Sequence, residues 1–247
     1  MSDAEFRFDP KYAHRVIEAH EVYSSQLFEE RTVKVYLPPN YDASRRYPVL
    51  YCHDGNEFFT HGRIATIVNQ LIHEGALKPF LVAGIAVNHS RRTADYAPDG
   101  ERHDAYCRFV LETCIPFVEE SYSVDPAQRF MAGISLGAVV SLELYLRQPK
   151  VLPRLLLFSG AYYPRVLEDV TRVPELQPLS AYMIVGRQET AVKTDHGDYD
   201  FYRLNQSMRE LLELRGAKID YHEADGTHIW GFWQKQLPNA LTWMNKP

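Results

Sequence analysis

Residues 129–148 are RFMAGISLGAVVSLELYLRQ. The first four residues are typical of the end of a buried strand, and residues 136–148 predict a helix that Pro149 stops. Between them, Ser135 lies in Gly133-Ile134-Ser135-Leu136-Gly137, a tight turn from strand to helix. The two glycines remove side chains that would collide across such a turn, and a helix N-terminus favours developing negative charge. The pattern predicts the nucleophile turn of an acyl-transfer enzyme.

Strands and helices alternate along the rest of the chain. The segments with strand character are residues 48–52, 80–87, 154–158, 181–185 and 218–223, and those with helical character are residues 64–75, 100–122, 198–215 and 230–244. Such alternation is typical of a parallel sheet covered by helices on both faces. Residues 16–27 and 31–37 predict N-terminal strands, the second with the alternation of a half-buried antiparallel strand. We expect an α/β fold with a mostly parallel central sheet, antiparallel N-terminal strands and one domain over residues 1–247.

The composition argues against several classes of partner. The net charge is −5, and no run of Lys and Arg exceeds two residues, so neither nucleic acid nor an anionic membrane is an expected partner. No apolar stretch approaches the ~20 residues that span a bilayer. The charged residues 1–15 lack the apolar core of a signal peptide. We expect a cytoplasmic protein that acts on a small molecule.

A nucleophilic serine needs a base and an acid, and both follow Ser135 along the chain. His228 comes just after the last predicted strand, where its Nε2 can take the serine proton. His222 is the competing base, although it lies inside that strand. Glu189 directly follows the predicted strand 181–185 and can orient the imidazole, with Asp198 as the alternative acid.

Two backbone N–H groups should bind the oxyanion. One belongs to Leu136, and we assign the other to Asn56, because Gly55 lets the chain turn close to the substrate. A plain Asp-Gly turn would explain the same residues without a catalytic role. Arg91, with its neighbour Arg92, follows the strand 80–87 at the same sheet edge as Ser135. It is a candidate for binding a polar or anionic substrate group, and a solvated loop charge is the alternative.

Trp230 is a candidate wall of an acyl or aromatic pocket, although an ordinary core position explains it equally well. The ten histidines show no spacing typical of a metal site. We therefore predict no metal.

Six segments carry a family resemblance. They are VYLPPNYD at 35–42, YPVLY at 47–51 running into Asp54-Gly55, IPFVEE at 115–120, AGISLG at 132–137, FSG at 158–160 and GTHIW at 226–230. In these segments the chain resembles the putative esterase family, which includes esterase D and the enterochelin esterases. Ala138 departs from the pattern, since many relatives have a second glycine there.

The resemblance implies an α/β-hydrolase fold without a large lid domain and hydrolysis of a carboxylic ester without a cofactor. It supports Ser135 as nucleophile and His228 as base, and Glu189 is similar to the relatives' triad acid. We predict a serine esterase. The alternatives are an acyltransferase of the same fold and a hydrolase-like binding module without activity.

Overall fold

A large twisted sheet forms the centre of the protein, described by a computed structural model for residues 7–176, 178–194 and 197–245. Its strands are β1 (Val16–Ser24), β2 (Glu29–Leu37), β3 (Tyr47–Cys52), β4 (Leu81–Ile85), β5 (Val124–Ile134), β6 (Arg154–Phe158), β7 (Ser180–Gly186) and β10 (Lys218–Ala224). They are arranged in the order β1-β2-β4-β3-β5-β6-β7-β10. The pairs β1–β2 and β2–β4 are antiparallel, and the others are parallel. A separate hairpin pairs β8 (Val192–Thr194) with β9 (Gly197–Tyr199).

Helices cover both faces of this sheet. They are α1 (Gly55–Thr60), α2 (Ile64–His73), α3 (Arg92–Tyr96), α4 (His103–Phe109), α5 (Ile115–Ser121), α6 (Leu136–Arg147), α7 (Pro164–Thr171), α8 (Phe201–Leu214) and α9 (Trp230–Trp243). Successive residues of a strand point to opposite faces, so Val49 and Tyr51 of β3 join one core cluster and Leu50 and Cys52 join the other. Helices α1, α2 and α9 pack on the second cluster, and α4 to α8 contribute to the first.

The predicted parallel sheet with antiparallel N-terminal strands is confirmed, and the differences are local. The predicted helix 100–122 is interrupted by a π-helical turn, Val110–Cys114, between α4 and α5. The predicted helix 198–215 begins only at Phe201, because Gly197–Tyr199 pairs with β8. Helix α1 replaces a predicted turn, and α7 has no counterpart among the predicted elements. Within the described residues, no helix has the length and apolar character that crossing a bilayer requires.

Candidate active site

The predicted nucleophile turn is held by backbone contacts on both sides of Ser135. Ser135 has φ 58° and ψ −120°, a strained backbone for a residue with a side chain. Its N–H donates to the Phe158 carbonyl at 3.0 Å, and its own carbonyl accepts from the Ala161 N–H at 3.1 Å. A Cβ on Gly133 would lie 2.0 Å from the Gly137 carbonyl oxygen, so only glycine fits there. The serine is thus fixed between β5 and α6 by contacts with the last residue of β6 and with the segment that follows it.

A cavity of about 500 Å³ opens beside Ser135. Its lining includes His228, Trp230 and Trp233 together with Asp54 and Arg92. These residues follow different strands of the sheet, and the cavity lies at the carboxyl ends of those strands. This is the edge at which open α/β sheets bind ligands.

His228 is held by a carboxylate and two aromatic rings. Its Nδ1 lies 2.7 Å from Glu189 Oε2, and the side chain of Glu189 is fully buried. Phe201 and Trp233 meet the imidazole edge to face, with ring centroids 4.5 and 4.9 Å away. With the proton on Nδ1, Nε2 is left as the basic nitrogen. Among the described residues no direct hydrogen bond joins Ser135 to His228, a contact that in many hydrolases tightens only with substrate present.

Glu189 accepts hydrogen bonds at both carboxylate oxygens. Besides His228 on Oε2, the Gly186 N–H donates to Oε1 at 2.8 Å and the Ser159 hydroxyl donates to the same oxygen at 2.7 Å. The Ser159 oxygen in turn accepts from Trp233 Nε1 at 2.9 Å. These bonds satisfy a buried carboxylate that would otherwise be expensive to desolvate. Ser159 has φ 44°, so a strained backbone presents this hydroxyl.

The two alternative residues lie away from the cavity. Asp198 is exposed on the small strand β9. His222 is exposed on β10, with its Nε2 2.8 Å from Asp220. Of the candidate bases and acids, the structure brings only His228 and Glu189 together beside Ser135.

The two predicted oxyanion donors lie at helix starts. Leu136 is the first residue of α6 and Asn56 the second residue of α1, so both N–H groups belong to the set without a partner inside the helix. Asp54, just before α1, lines the cavity and has φ 52°. A Cβ on Gly55 would lie 2.3 Å from the Gly84 carbonyl carbon in β4. Glycine at this position lets α1 begin against the sheet, beside the serine.

The structure separates the two adjacent arginines. Arg91, the predicted substrate residue, lies outside the cavity, where its Nη1 donates to Glu29 Oε2 at 2.7 Å. Arg92 lies in the cavity wall instead. Consecutive residues of a helical turn point about 100° apart, which sequence position alone cannot resolve. Trp230 lines the cavity and also packs edge-on against Phe58 at 5.4 Å, so it serves as both wall and core.

Sequence reasoning missed the cavity residue Trp233 and the buried Ser159. The signal for Ser159 was present, since it immediately follows β6 in Phe158-Ser159-Gly160. Trp233 carried no such signal, because it lies in the first turn of α9 and resembles any other helical core residue. Its cavity position becomes apparent only from the way α9 packs.

Comparisons with known proteins agree with this architecture. The family model described as "Putative esterase" matches residues 24–244. The uncharacterized protein YjcH of Bacillus subtilis is 32% identical over 229 residues, which cover 91% of this chain and 95% of that protein. The endo-1,4-beta-xylanase/feruloyl esterase of Xylanibacter ruminicola is 27% identical over 239 residues, 91% of this chain and 30% of that protein.

A solved structure extends the comparison to the fold. The enterochelin esterase of Shigella flexneri matches with a TM-score of 0.81 and 19% identity, over 94% of this chain and 58% of that chain. This likeness confirms the predicted α/β-hydrolase fold.

Proposed function

Because this chain belongs to the putative esterase family, we propose that it is a serine esterase working through an acyl-enzyme on Ser135. Carboxylic ester hydrolysis is its class of reaction. The proposal adds a Ser135-His228-Glu189 triad and an oxyanion site made by the N–H groups of Leu136 and Asn56. It treats residues 1–247 as a single catalytic domain with a small-molecule ester as substrate.

The reaction runs in two halves. Ser135 Oγ attacks the ester carbonyl carbon while His228 Nε2 takes its proton, and the carbonyl electron pair moves onto the oxygen. The N–H groups of Leu136 and Asn56 stabilise that oxyanion. Its collapse breaks the bond to the alcohol oxygen, which takes the proton from His228, and the acyl group stays on Ser135. Water then repeats the sequence, activated by His228, and releases the acid and the free serine.

One observation carries the proposal: in the wall of the cavity that Ser135 lines, His228 Nδ1 lies 2.7 Å from the buried carboxylate of Glu189. A carboxylate in that place fixes the tautomer that leaves Nε2 basic and stabilises the imidazolium formed during attack. The same carboxylate is already satisfied on its other oxygen by Gly186 and Ser159. It is therefore a fixed acceptor rather than a mobile surface charge.

The cavity also bears on the substrate. Its aromatic wall, Trp230 and Trp233, suits an acyl or aryl group, and its volume of about 500 Å³ is within the range of small-molecule sites. Relatives carry names that specify a feruloyl ester and enterochelin as substrates. We infer an ester that carries an acyl or aryl group of comparable chemistry for this chain.

Hydrolysis of p-nitrophenyl acetate and butyrate tests the mechanism. Ser135→Ala and His228→Ala are each expected to lower kcat by about 10³-fold or more, and Glu189→Gln by about 10²-fold or more. Asp198→Asn serves as the control and should stay within about twofold, because Asp198 is exposed on β9. A fluorophosphonate should label the wild type and not Ser135→Ala. A folded wild type with neither turnover nor labelling would refute the proposal, and normal activity of Glu189→Gln would remove Glu189 from it.

A further inference from the structure

Arg92 and Asp54 form a bidentate ion pair in the wall of the cavity beside Ser135. Arg92 Nε donates to Asp54 Oδ1 at 2.7 Å, and Arg92 Nη2 donates to Oδ2 at 2.8 Å. The side chains are 25% and 6% exposed, so Asp54 has little water to stabilise its charge. A carboxylate in such a place is costly without a cation beside it. Arg92 is the cation that compensates it.

This pair connects three segments of the chain. Asp54 directly precedes α1, which carries Asn56, and Arg92 begins α3. Arg92 Nη2 also donates to the Ile134 carbonyl at 3.2 Å, one residue before Ser135. One guanidinium thus ties the start of α1 to the nucleophile turn. These are the two places from which the proposed oxyanion donors come.

The Asp54 carboxylate faces the start of α6. A Cβ on Gly137 would lie only 3.2 Å from Asp54 Oδ2, which places this oxygen beside the first turn of that helix. The Leu136 N–H belongs to the same turn. A bare carboxylate there would oppose the negative charge that forms on the substrate oxygen, because charges of like sign repel strongly where water is scarce.

The pair itself is rigidly supported. The Asp54 N–H donates to the Tyr96 hydroxyl at 3.1 Å, and the Arg92 guanidinium lies 5.0 Å from the centre of the Tyr96 ring. Tyr96 is fully buried, so it gives both partners a fixed backing. Asp54 also has a left-handed backbone, φ 52°, which its surroundings must hold in place. The geometry is that of a fixed ion pair that links two segments, and not that of a mobile surface ion pair.

We propose that Arg92 is a positioning residue of the esterase, which holds the loop bearing Asn56 against the nucleophile turn and cancels the charge of Asp54 beside the oxyanion. The inference rests on the proposed serine mechanism. A direct role in binding an anionic substrate is the rival interpretation. With an uncharged ester the rival predicts that kcat and KM both stay near their wild-type values, whereas the loss of a positioning residue lowers kcat.

The experiment measures kcat and KM for p-nitrophenyl butyrate, an uncharged ester, together with the melting temperature. Arg92→Gln should lower kcat by about 10- to 100-fold and change KM by less than about threefold, because small displacements of catalytic groups have effects of that size. Asp54→Asn should lower kcat less, since the group that it leaves behind is a cation, which favours an oxyanion. The double variant Arg92→Gln/Asp54→Asn should regain at least about fivefold in kcat over Arg92→Gln.

Arg129→Gln is the matched control. Arg129 makes a similar bidentate pair with Glu119, each side chain 17% exposed, and neither residue lines the cavity beside Ser135. Arg129→Gln should lower the melting temperature, while its kcat stays within about twofold of the wild-type value. Arg92→Lys keeps the charge but cannot make both hydrogen bonds to Asp54, and it replaces Arg92→Gln if that variant does not fold. Its kcat should be more than about fivefold below that of the wild type, because the positioning contact is lost.

Three results would overturn the inference: a folded Arg92→Gln, or Arg92→Lys in its place, with kcat within twofold of wild type; a double variant no better than Arg92→Gln; or a change confined to KM. Ser135→Ala in the same assay keeps the two proposals apart. If Ser135→Ala stays active, the serine mechanism itself is wrong. If Ser135→Ala is inactive and Arg92→Gln is normal, only the role of Arg92 is wrong.

Discussion

Ser159→Ala should weaken both the fold and the catalytic site, because one buried hydroxyl serves two partners. It donates to Glu189 Oε1 at 2.7 Å and accepts from Trp233 Nε1 at 2.9 Å. Ser159 is fully buried, and Trp233 is 6% exposed, so water cannot replace the lost group without rearrangement. Alanine tolerates φ 44° no better than serine does, so the change in backbone strain is small.

The magnitude follows from the two bonds. A hydrogen bond to a charged group contributes about 1.5–3 kcal/mol, and an indole N–H left buried without a partner costs about 1–3 kcal/mol. We therefore expect the free energy of unfolding to fall by about 3 kcal/mol or more, which in a chain of this size lowers the melting temperature by roughly 6–12 °C. Glu189 keeps the Gly186 N–H, so we expect kcat to fall by only about tenfold.

Thermal unfolding and p-nitrophenyl butyrate kinetics check this expectation, and two backgrounds separate the bonds. In Trp233→Phe, no N–H is left without a partner, so Ser159→Ala should lower stability less. In Glu189→Ala, Ser159→Ala should have no further effect on kcat, because the residue it positions is gone. Ser141→Ala is the control: Ser141 is as buried as Ser159, and it donates to the Gly137 carbonyl instead. The reasoning is wrong if Ser159→Ala matches Ser141→Ala in both measurements, or if it still lowers kcat without Glu189.

The remaining predictions concern a buried histidine and the nucleophile turn. Burial lowers the pKa of His53 from 6.5 to about 3, so the unfolded chain binds the extra proton between these pH values. The contribution of His53 to the free energy of unfolding is then fully present above pH 6.5. It falls by about 1.4 kcal/mol per pH unit as the pH is lowered from there. The free energy of unfolding, measured with urea from pH 4.5 to 7.5, should depend less steeply on pH in His53→Gln than in the wild type. An equal dependence on pH in the two proteins would contradict this. Gly133→Ala should lower the free energy of unfolding by about 3 kcal/mol or more and abolish fluorophosphonate labelling, because its Cβ would lie 2.0 Å from a backbone oxygen. Gly137→Ala should lower the free energy of unfolding less, because its Cβ would lie 3.2 Å from a side-chain oxygen. An active Gly133→Ala would contradict the strained turn.

The central strands were predictable because each is an apolar run between turn residues. Residues 154–158 form a strand with the predicted bounds, and β3, β7 and β10 differ from the prediction by one residue at one or both ends. Parallel strands buried on both faces need apolar side chains at every position, and this signal is local. The helix at 136–147 was predictable for a related reason, since the glycine-bounded serine sets its start and Pro149 sets its limit.

Helix α1 and the choice between Arg91 and Arg92 were not predictable, because tertiary contacts decide both. Gly55 is a poor helix former, yet α1 begins there because its backbone packs against Gly84 in β4. No local pattern contains that contact. Arg91 and Arg92 have the same side chain. The direction of each is set by an ion pair with a carboxylate from elsewhere in the chain, Glu29 for Arg91 and Asp54 for Arg92.

The distance of a residue from its strand end therefore decides how well the sequence can assign it. Parallel strands end at one edge of the sheet, so the strand that a side chain directly follows is enough to place that side chain at this edge. Ser135 and Ser159 are the first residues after β5 and β6, and Glu189 and His228 follow β7 and β10 within a short turn. Arg92 comes later after β4, beyond a turn of its own, and its direction depends on Asp54, Tyr96 and the Ile134 carbonyl together. Chain position can therefore assign the residues of the proposed triad, whereas only packing can assign the Arg92–Asp54 ion pair that we propose to hold the two proposed oxyanion segments together.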